Sequence, residues 1–366
     1  MDRRQFIKGG AALAAMAAGG GAVHGAKAGR ERRIWGLVLH LGTNMWSDVR
    51  VADRVMEGPR KWGGEDGWAL YSDVLRFDEA FWRETTARMA AKGLNTIVLD
   101  LGEGLCYPSH PELSVEGTWP VAKMKDELRR LRGMGLEVVP KLNFSTGHDT
   151  WLQKYGRMVS TKRYYDVCRD VILDTVDAFD GPELFHMGFD EETARHQSTY
   201  DYCVVRQGEL WWHDCGFFVD TIKSAGARPW MWSDKIWHSH EDFVKRVPKD
   251  VLQSNWYYGH IFDPEKVPPE HRERVRPYIE AFKWLEEAGY DQVPTGMAQP
   301  KDDVDGWKHG FAGHCAKTIA PARLKGMLNS VWCFTMPHKR DFINKAIDEV
   351  AEASRYCGAQ MQYART

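Results

Sequence analysis

The stretch TIVLDL, residues 96–101, decides the fold together with LEVVPKL, residues 136–142. Both runs are almost continuously apolar, as expected for strands that are buried on both faces of a parallel sheet. A longer stretch of helical periodicity follows each of them, near residues 119–134 and 162–179. This alternation of strand and helix is typical of an α/β fold.

The same alternation runs through the whole chain. Predicted strands are 34–41, 95–101, 136–142, 184–188, 228–232, 251–256, 292–297 and 328–334. Predicted helices lie near 78–92, 119–134, 162–179, 203–225, 241–247, 273–288, 307–325 and 338–354. Eight strand–helix units in about 300 residues predict a closed (β/α)8 barrel, the TIM barrel. An open doubly wound sheet is the alternative, but no GxGxxG or GxxxxGK[ST] phosphate-binding turn occurs.

Composition excludes several classes of function. The chain has 366 residues, of which 43% are hydrophobic and 27% charged, and its formal net charge is −2. Because it has no strongly basic balance, no nucleic-acid partner is expected. Seven cysteines occur without a CxxC pair, and we interpret them mostly as small core residues. A disulfide pairing and the oligomeric state cannot be read from such a pattern.

Residues 1–28 have the features of an export signal. Arg3-Arg4 precedes an Ala/Gly-rich run over residues 9–23, and Ala26-Lys27-Ala28 is a small-x-small cleavage pattern. The run is shorter than the ~20 apolar residues that span a bilayer. The segment resembles a bacterial twin-arginine signal. We expect residues 29–366 to form a single barrel domain that is periplasmic or secreted, without stable membrane association after cleavage.

In such barrels the functional residues lie at the carboxyl ends of the strands. The fourth strand ends in ELFHMGFDEET, residues 183–193, which places Asp190, Glu191 and Glu192 in a row. Other candidates at strand ends are Asn44, Asp100, His148, Trp232, Asp234, Trp256, Tyr257, Gln299, Asp302 and Trp332. Carboxylates, a histidine and flat aromatic faces together predict a sugar pocket with acid/base chemistry.

No metal or cofactor is expected. The stretch His238-Ser239-His240 is the candidate metal motif, but its histidines are two residues apart, unlike those of a helical HExxH site. We interpret it as a polar loop that begins a helix.

Residues 186–191, His-Met-Gly-Phe-Asp-Glu, resemble the His-x-Gly-Gly-Asp-Glu motif of family 20 glycoside hydrolases, the β-N-acetylhexosaminidases. The segments 92–113, 135–148 and 228–234 are similar to the second, third and fifth barrel units of that family, in the same order. The resemblance implies a glycan or glycoside substrate. It also implies that Glu191 is the acid/base and that Asp190 holds the 2-acetamido group of the substrate, whose carbonyl oxygen attacks the anomeric carbon.

The motif also predicts the electrostatics of the pair. A neighbouring carboxylate and a closed pocket are expected to raise the pKa of Glu191, so that it holds a proton near neutrality. His148 is expected to hydrogen-bond into the pair. Glu192 is expected at the surface or behind the site.

Three departures from the family pattern leave the identity of the sugar undecided. The first strand end, residues 40–46, has no arginine, and residues 294–299 lack the family's tyrosine and aspartate. Trp332 is followed by Cys333-Phe334 rather than by a glutamate two residues later. Tyr257 or Tyr258 is a candidate replacement for the missing tyrosine.

Two alternatives to the acetamido mechanism follow from these departures. One is a glycosidase for sugars without an acetamido group, with Asp190, Asp100 or Asp234 as nucleophile or base. The other is a barrel that binds glycans without cleaving them. The adjacent Asp190 and Glu191 favour catalysis, since binding alone does not require such a pair.

The export signal predicts that an Arg3→Lys, Arg4→Lys double variant stays in the cytoplasm with Met1 intact, because both arginines belong to the signal. Exported wild-type protein should begin near Gly29. Cell fractionation followed by mass spectrometry measures both, and undiminished export of the double variant would contradict the prediction.

Overall fold

Eight parallel strands form the scaffold in the part of the chain that the structure describes. The computed structural model describes residues 32–50, 67–198, 200–201, 203–259, 261–298 and 307–363. The expected signal peptide, residues 1–28, and the candidates Gln299 and Asp302 lie outside these ranges. The strands are β1 Ile34–His40, β2 Thr96–Asp100, β3 Glu137–Lys141, β4 Leu184–His186, β5 Arg228–Trp232, β6 Leu252–Ser254, β7 Thr295–Met297 and β8 Gly326–Ser330.

Helices connect the strands. They are α1 Glu79–Ala91, α2 Val121–Gly133, α3 Lys162–Ala178, α4 Glu209–Ser224, α5 His240–Arg246, α6 Pro269–Glu287, α7 Gly313–Thr318 and α8 Arg340–Tyr363. Short 3₁₀ segments are Gly102–Gly104, Pro111–Leu113, Thr150–Arg157, Asp234–Trp237, Pro264–Lys266 and Pro337–Lys339, and a π-helical turn, Lys308–Ala312, precedes α7. Local sequence determines where α1 begins. Asp78 is its N-cap residue, and the Asp78 side chain accepts a hydrogen bond from the Phe81 N–H at 2.7 Å.

The strands pair in the order β6-β5-β4-β3-β2-β1-β8-β7. The two ends of this order meet, because bridges join Gln253 to Gln292 and Trp256 to Thr295. Hydrogen bonds from Val293 N–H to the Gln253 carbonyl at 2.8 Å and from Thr295 N–H to the Asn255 carbonyl at 3.0 Å support the closure. The prediction of a (β/α)8 barrel is confirmed.

Alternation along the strands gives the barrel two cores. The inner core consists of Val38, Val98, Val139, Trp230, Trp232, Leu252, Val293 and Leu328. The outer core packs the other strand face against the helices, as with Leu37 and Leu39 of β1. Burial on both faces explains why the strands appear in the sequence as continuous apolar runs.

Some predicted boundaries are wrong. β8 was expected at 328–334, but it ends at Ser330, so Trp332 lies in the loop beyond the strand. α4 begins at Glu209 rather than near 203, because the connection from β4 continues as turns before the helix. α8 extends to Tyr363, beyond the expected end at 354.

The described cysteines, all seven of the chain, are free, and most are buried. Among the described residues, no helix has the length and apolarity that a membrane span needs.

A buried ion pair lies at the carboxyl ends of β2 and β3. Asp100 and Lys141 are register partners, and the Lys141 ammonium donates to the Asp100 carboxylate. Both side chains are almost fully buried, and the His40 Nδ1 lies 3.8 Å from the same carboxylate. Charges this deep are tolerated because each compensates the other.

Lys141→Met should lower the free energy of unfolding by about 3–5 kcal/mol, because it leaves the Asp100 charge buried without its partner. A Lys141→Met, Asp100→Leu double variant should recover most of the loss. Urea denaturation followed by tryptophan fluorescence measures both.

The matched control is Lys162→Met, which removes an exposed ion pair with Asp166 and should cost less than about 1 kcal/mol. A Lys141→Met variant as stable as this control would contradict the prediction.

Candidate active site

The turn after β4 sets the position of the two central carboxylates. Gly188, Phe189 and Glu191 have φ values of 67°, 75° and 52°, in the left-handed region that side chains other than glycine rarely adopt. A Cβ on Gly188 would lie 2.4 Å from the Asn143 side chain, so only glycine fits there. Non-glycine residues in this region indicate strain that the surroundings must hold in place.

Phe189 stands where the family motif has a second glycine, and its packing stabilises the strained backbone. Its ring packs edge-on against Trp211 and Phe218 of α4. The Arg206 guanidinium lies 4.6 Å from the ring centroid. These contacts lie in the outer core, and they stabilise the turn.

Neighbouring strands hold the turn from both sides. The Asn143 amide after β3 donates to Asp190 Oδ1 at 2.8 Å. The Glu191 N–H donates to Asp234 Oδ2 after β5 at 2.9 Å. Asp190 and Glu191 are thus oriented by groups on the strands at either side of β4.

Two imidazoles flank the Glu191 carboxylate. His148 Nε2 lies 3.3 Å from Glu191 Oε2 and 3.7 Å from Asp190 Oδ2. His196 Nε2 lies 3.3 Å from the other Glu191 oxygen, Oε1. Each carboxylate oxygen of Glu191 therefore has a histidine partner.

The expectation of a raised Glu191 pKa is wrong for the protein without substrate. Burial alone would raise the pKa, but hydrogen bonds and charges from His148 and His196 outweigh it and hold the pKa of Glu191 below its usual value. Burial lowers the pKa of His148, but Asp190 and Glu191 more than offset this and raise it overall. The proton of this group is therefore held more readily by imidazole than by the carboxylate.

The carboxylates open into a cavity of about 200 Å³. Its lining is Met45, Trp46, Trp68, Asn143, His148, Asp190, Glu191, Trp232, Trp256, Tyr258 and Trp332. The volume lies below the range of roughly 300–1,000 Å³ for drug-sized ligands. It suits a ligand the size of one sugar ring, surrounded by aromatic walls.

Some of the polar atoms on the aromatic side chains that line the cavity already have hydrogen-bond partners. Trp332 Nε1–H donates to the Tyr258 hydroxyl at 3.0 Å, and Trp256 stacks on the Tyr258 ring at 5.1 Å. Trp232 is almost fully buried, and its Nε1–H has no partner among the described residues. Since buried indole N–H groups usually find an acceptor, a ligand in the cavity is a suitable one.

Of the ten described residues that were predicted to form the pocket itself, six line the cavity and four do not. Those at the cavity are Asp190, Glu191, His148, Trp232, Trp256 and Trp332. Among the others, Asp100 is occupied by Lys141. Asp234 holds the Glu191 N–H, and burial together with the charge of Asp190 raises its pKa.

Asn44 and Tyr257 also lie away from the cavity. The Asn44 amide exchanges hydrogen bonds with the Ser72 backbone, at 2.7 Å and 2.8 Å, so it joins two parts of the loop after β1. The Tyr257 hydroxyl donates to the Ile261 carbonyl at 3.0 Å. Of the two tyrosines considered as replacements, Tyr258 is the one at the cavity.

Sequence reasoning missed Met45, Trp68 and His196. Trp68 and His196 follow no strand end directly, so their place in the barrel gave no signal. His196 lies five residues after Glu191 in a polar loop, and this proximity in sequence is the one hint.

Glu192 lies behind the site rather than in it. Its carboxylate accepts from Arg206 Nε at 2.8 Å and from the Thr146 N–H at 3.2 Å. Arg206 also donates to Asp214 of α4 at 3.0 Å. This buried pair ties the turn to α4, which agrees with the expectation of a position behind the site.

Among the described residues, His148, Asp190 and Glu191 bring three potential ligand atoms within 4.8 Å of one another, as a metal site would. The same atoms are engaged in the contacts given above, which account for the cluster without an ion.

A family model for the twin-arginine translocation pathway signal sequence matches residues 1–20. The export-signal prediction is confirmed, and the chain carries a signal for passage across the cytoplasmic membrane. No curated protein sequence matches the chain.

Solved structures of family 20 enzymes share the fold. A β-N-acetylhexosaminidase from Streptomyces coelicolor A3(2) is 12% identical, with a TM-score of 0.58 over 88% of this chain and 64% of that one. A β-hexosaminidase variant from Streptomyces plicatus, in complex with the product GlcNAc, is 13% identical, with a TM-score of 0.58 and the same coverage. An exo-β-N-acetylglucosaminidase from Vibrio harveyi, in complex with N-acetylglucosamine, is 15% identical, with a TM-score of 0.56 over 88% and 54%.

This chain therefore spans 64% or less of the length of these three enzymes. At such low identity the likeness establishes the fold, which is the fold that the sequence resemblance implies.

Proposed function

We propose that the protein is an exported glycoside hydrolase of the β-N-acetylhexosaminidase type, which removes a terminal N-acetylhexosamine with retention of anomeric configuration. One observation carries the proposal: adjacent Asp190 and Glu191 face a cavity for one ring at the carboxyl end of the barrel. The shared fold of hexosaminidases, two of them in complex with N-acetylglucosamine, supports it. We place the cleavage site after Ala28, and the mature chain in the periplasm or outside the cell.

In the proposed first step, the substrate's acetamido oxygen attacks the anomeric carbon and the Glu191 proton passes to the departing oxygen. Asp190 accepts a hydrogen bond from the acetamido N–H and stabilises the positive charge that develops there. In the second step Glu191 takes a proton from water, whose oxygen opens the cyclic intermediate. Glu191 regains its proton and the hemiacetal product has the original configuration.

The aromatic wall suits the apolar parts of this substrate. Trp232, Trp256 and Trp332 offer faces for a sugar ring and an acetamido methyl group. Tyr258 lies after the end of β6, and we assign to it the role that the missing tyrosine after β7 plays in the family. Its hydroxyl accepts from Trp332 Nε1–H at the cavity, and we assign to it the contact with the acetamido oxygen.

The alternative mechanism needs a protein nucleophile. Asp100 is paired with Lys141 away from the cavity, and Asp234 binds the Glu191 N–H. Of the three carboxylates considered for this role, Asp190 alone lines the cavity. Its Oδ1 is occupied by Asn143, which suits an orienting group better than a nucleophile.

Glu191→Gln should lower kcat/KM for a disaccharide substrate by roughly 10² to 10⁴, the usual contribution of general acid catalysis. Aryl glycosides with good leaving groups should lose less, because their departing oxygen needs little protonation. Steady-state kinetics on both substrate types measures the difference.

The control is Glu183→Gln, which changes an exposed glutamate at the opposite end of the same strand and should leave both rates unchanged. Turnover of the disaccharide by Glu191→Gln at the wild-type rate would remove Glu191 from the acid role.

Asp190→Asn should lose most activity on aryl N-acetylhexosaminides, because a neutral amide cannot stabilise the charge on the acetamido nitrogen. The wild-type protein should be inhibited by a thiazoline that mimics the cyclic intermediate. A panel of nitrophenyl glycosides provides the assay. Cleavage of plain glucosides or galactosides without thiazoline inhibition would instead support a protein nucleophile.

A further inference from the structure

We propose that His196 is a positioning residue for the acid Glu191, holding Oε1 at the mouth of the cavity on the side where the leaving group departs. This inference rests on the proposed function. It adds a residue outside the motif that led to that function.

The two histidines around Glu191 differ in exposure. The His148 side chain is 4% exposed and faces Oε2 from within the barrel. The His196 side chain is 28% exposed and faces Oε1 from the loop between β4 and α4. A leaving group must reach solvent, so the oxygen on the His196 side is the one that meets it.

The local contacts of His196 suit the tautomer that carries its hydrogen on Nε2. The Thr193 hydroxyl lies 2.9 Å from His196 Nδ1 and accepts from the His196 backbone N–H at 3.3 Å. Because that oxygen already accepts one hydrogen bond, its proton can point at Nδ1. The neutral ring then carries its hydrogen on Nε2, aimed at Glu191 Oε1.

Buried anchors hold the loop that carries His196. Gln197 is fully buried and donates from Nε2 to the Val204 carbonyl at 2.8 Å. The Tyr200 hydroxyl donates to the Gly147 carbonyl at 2.6 Å, on the loop that also bears His148. The position of His196 is thus set by the fold rather than by a solvated turn.

The acid has further charged or titratable neighbours besides His196. They are His148 after β3, Asp190 beside it, Asp234 after β5, Tyr258 after β6 and Tyr278 of α6. Of all these groups, His148 and His196 are the ones that lower the pKa of Glu191. Removing His196 should therefore raise that pKa and keep the acid protonated to higher pH.

His196→Ala should lower kcat/KM for a disaccharide on the order of tenfold, part of the acid's contribution, and should spare an activated aryl glycoside. The alkaline limb of its pH profile should move to higher pH. His196→Gln can still donate to Oε1, and this hydrogen bond lowers the pKa of Glu191 more than the charge of His196 does, so the variant should recover most of the rate and most of the wild-type position of the limb. Thr193→Val, which removes the hydroxyl beside His196 Nδ1, should lie between wild type and His196→Ala.

The control is His271→Ala, an exposed histidine of α6, which should change neither rate nor pH profile. Thermal unfolding of each variant checks folding, and His196→Gln and Thr193→Val carry the test if His196→Ala is unstable. Equal losses on both substrates with an unmoved alkaline limb would overturn the inference.

A readout without turnover separates this inference from the proposed function. The Glu191 carboxyl carbon can be titrated by ¹³C NMR and assigned by its loss in Glu191→Gln. Its pKa should rise in His196→Ala, and an unchanged titration overturns the inference even in an active enzyme. If wild type cleaves no glycoside while the titration shifts, the proposed function fails and the contact stands.

Discussion

The left-handed turn from Gly188 to Glu191 is the constraint on which the rest of the site depends. It turns the chain at the end of β4 so that two consecutive carboxylates face the same cavity, although neighbouring side chains of a strand point to opposite faces. Two of its three left-handed residues are not glycine, so the turn needs support from outside. Asn143 and Asp234 supply it from β3 and β5, and the packing of Phe189 supplies it from α4.

The imidazoles of His148 and His196 are the second constraint, because they control the pKa of Glu191. A carboxylate beside another carboxylate would hold its proton more tightly, yet His148 and His196 reverse that tendency for Glu191. In the protein without substrate, the lowered pKa of Glu191 and the raised pKa of His148 favour the proton on His148. Burial lowers the pKa of His186, and the positive charge of Lys141, which is paired with Asp100, lowers it further and opposes the rise at His148.

Sequence alone predicted the parts that depend on local pattern. Continuous apolar runs gave the eight strands, and the motif at 186–191 gave the carboxylate pair. Asn44, Asp100 and Asp234 were predicted to line the pocket, but each binds another part of the protein instead. A position at a strand end does not reveal which partner a side chain binds. Trp68 and His196 were missed because they lie on loops whose paths are set by long-range contacts, such as that of Tyr200 with Gly147. The expectation of a raised Glu191 pKa was wrong for the same reason, because the contact with His196 could not be predicted from the sequence.

The central claim is that the substrate's own acetamido oxygen is the nucleophile, with Asp190 and Glu191 serving it. The most direct test measures kcat/KM on aryl glycosides whose acetamido group carries zero, one, two or three fluorine atoms. Fluorine withdraws electrons from the carbonyl oxygen and weakens its attack, so the account predicts a steep stepwise fall in rate across the series. Equal rates across the series would contradict it and point to a carboxylate of the protein as nucleophile.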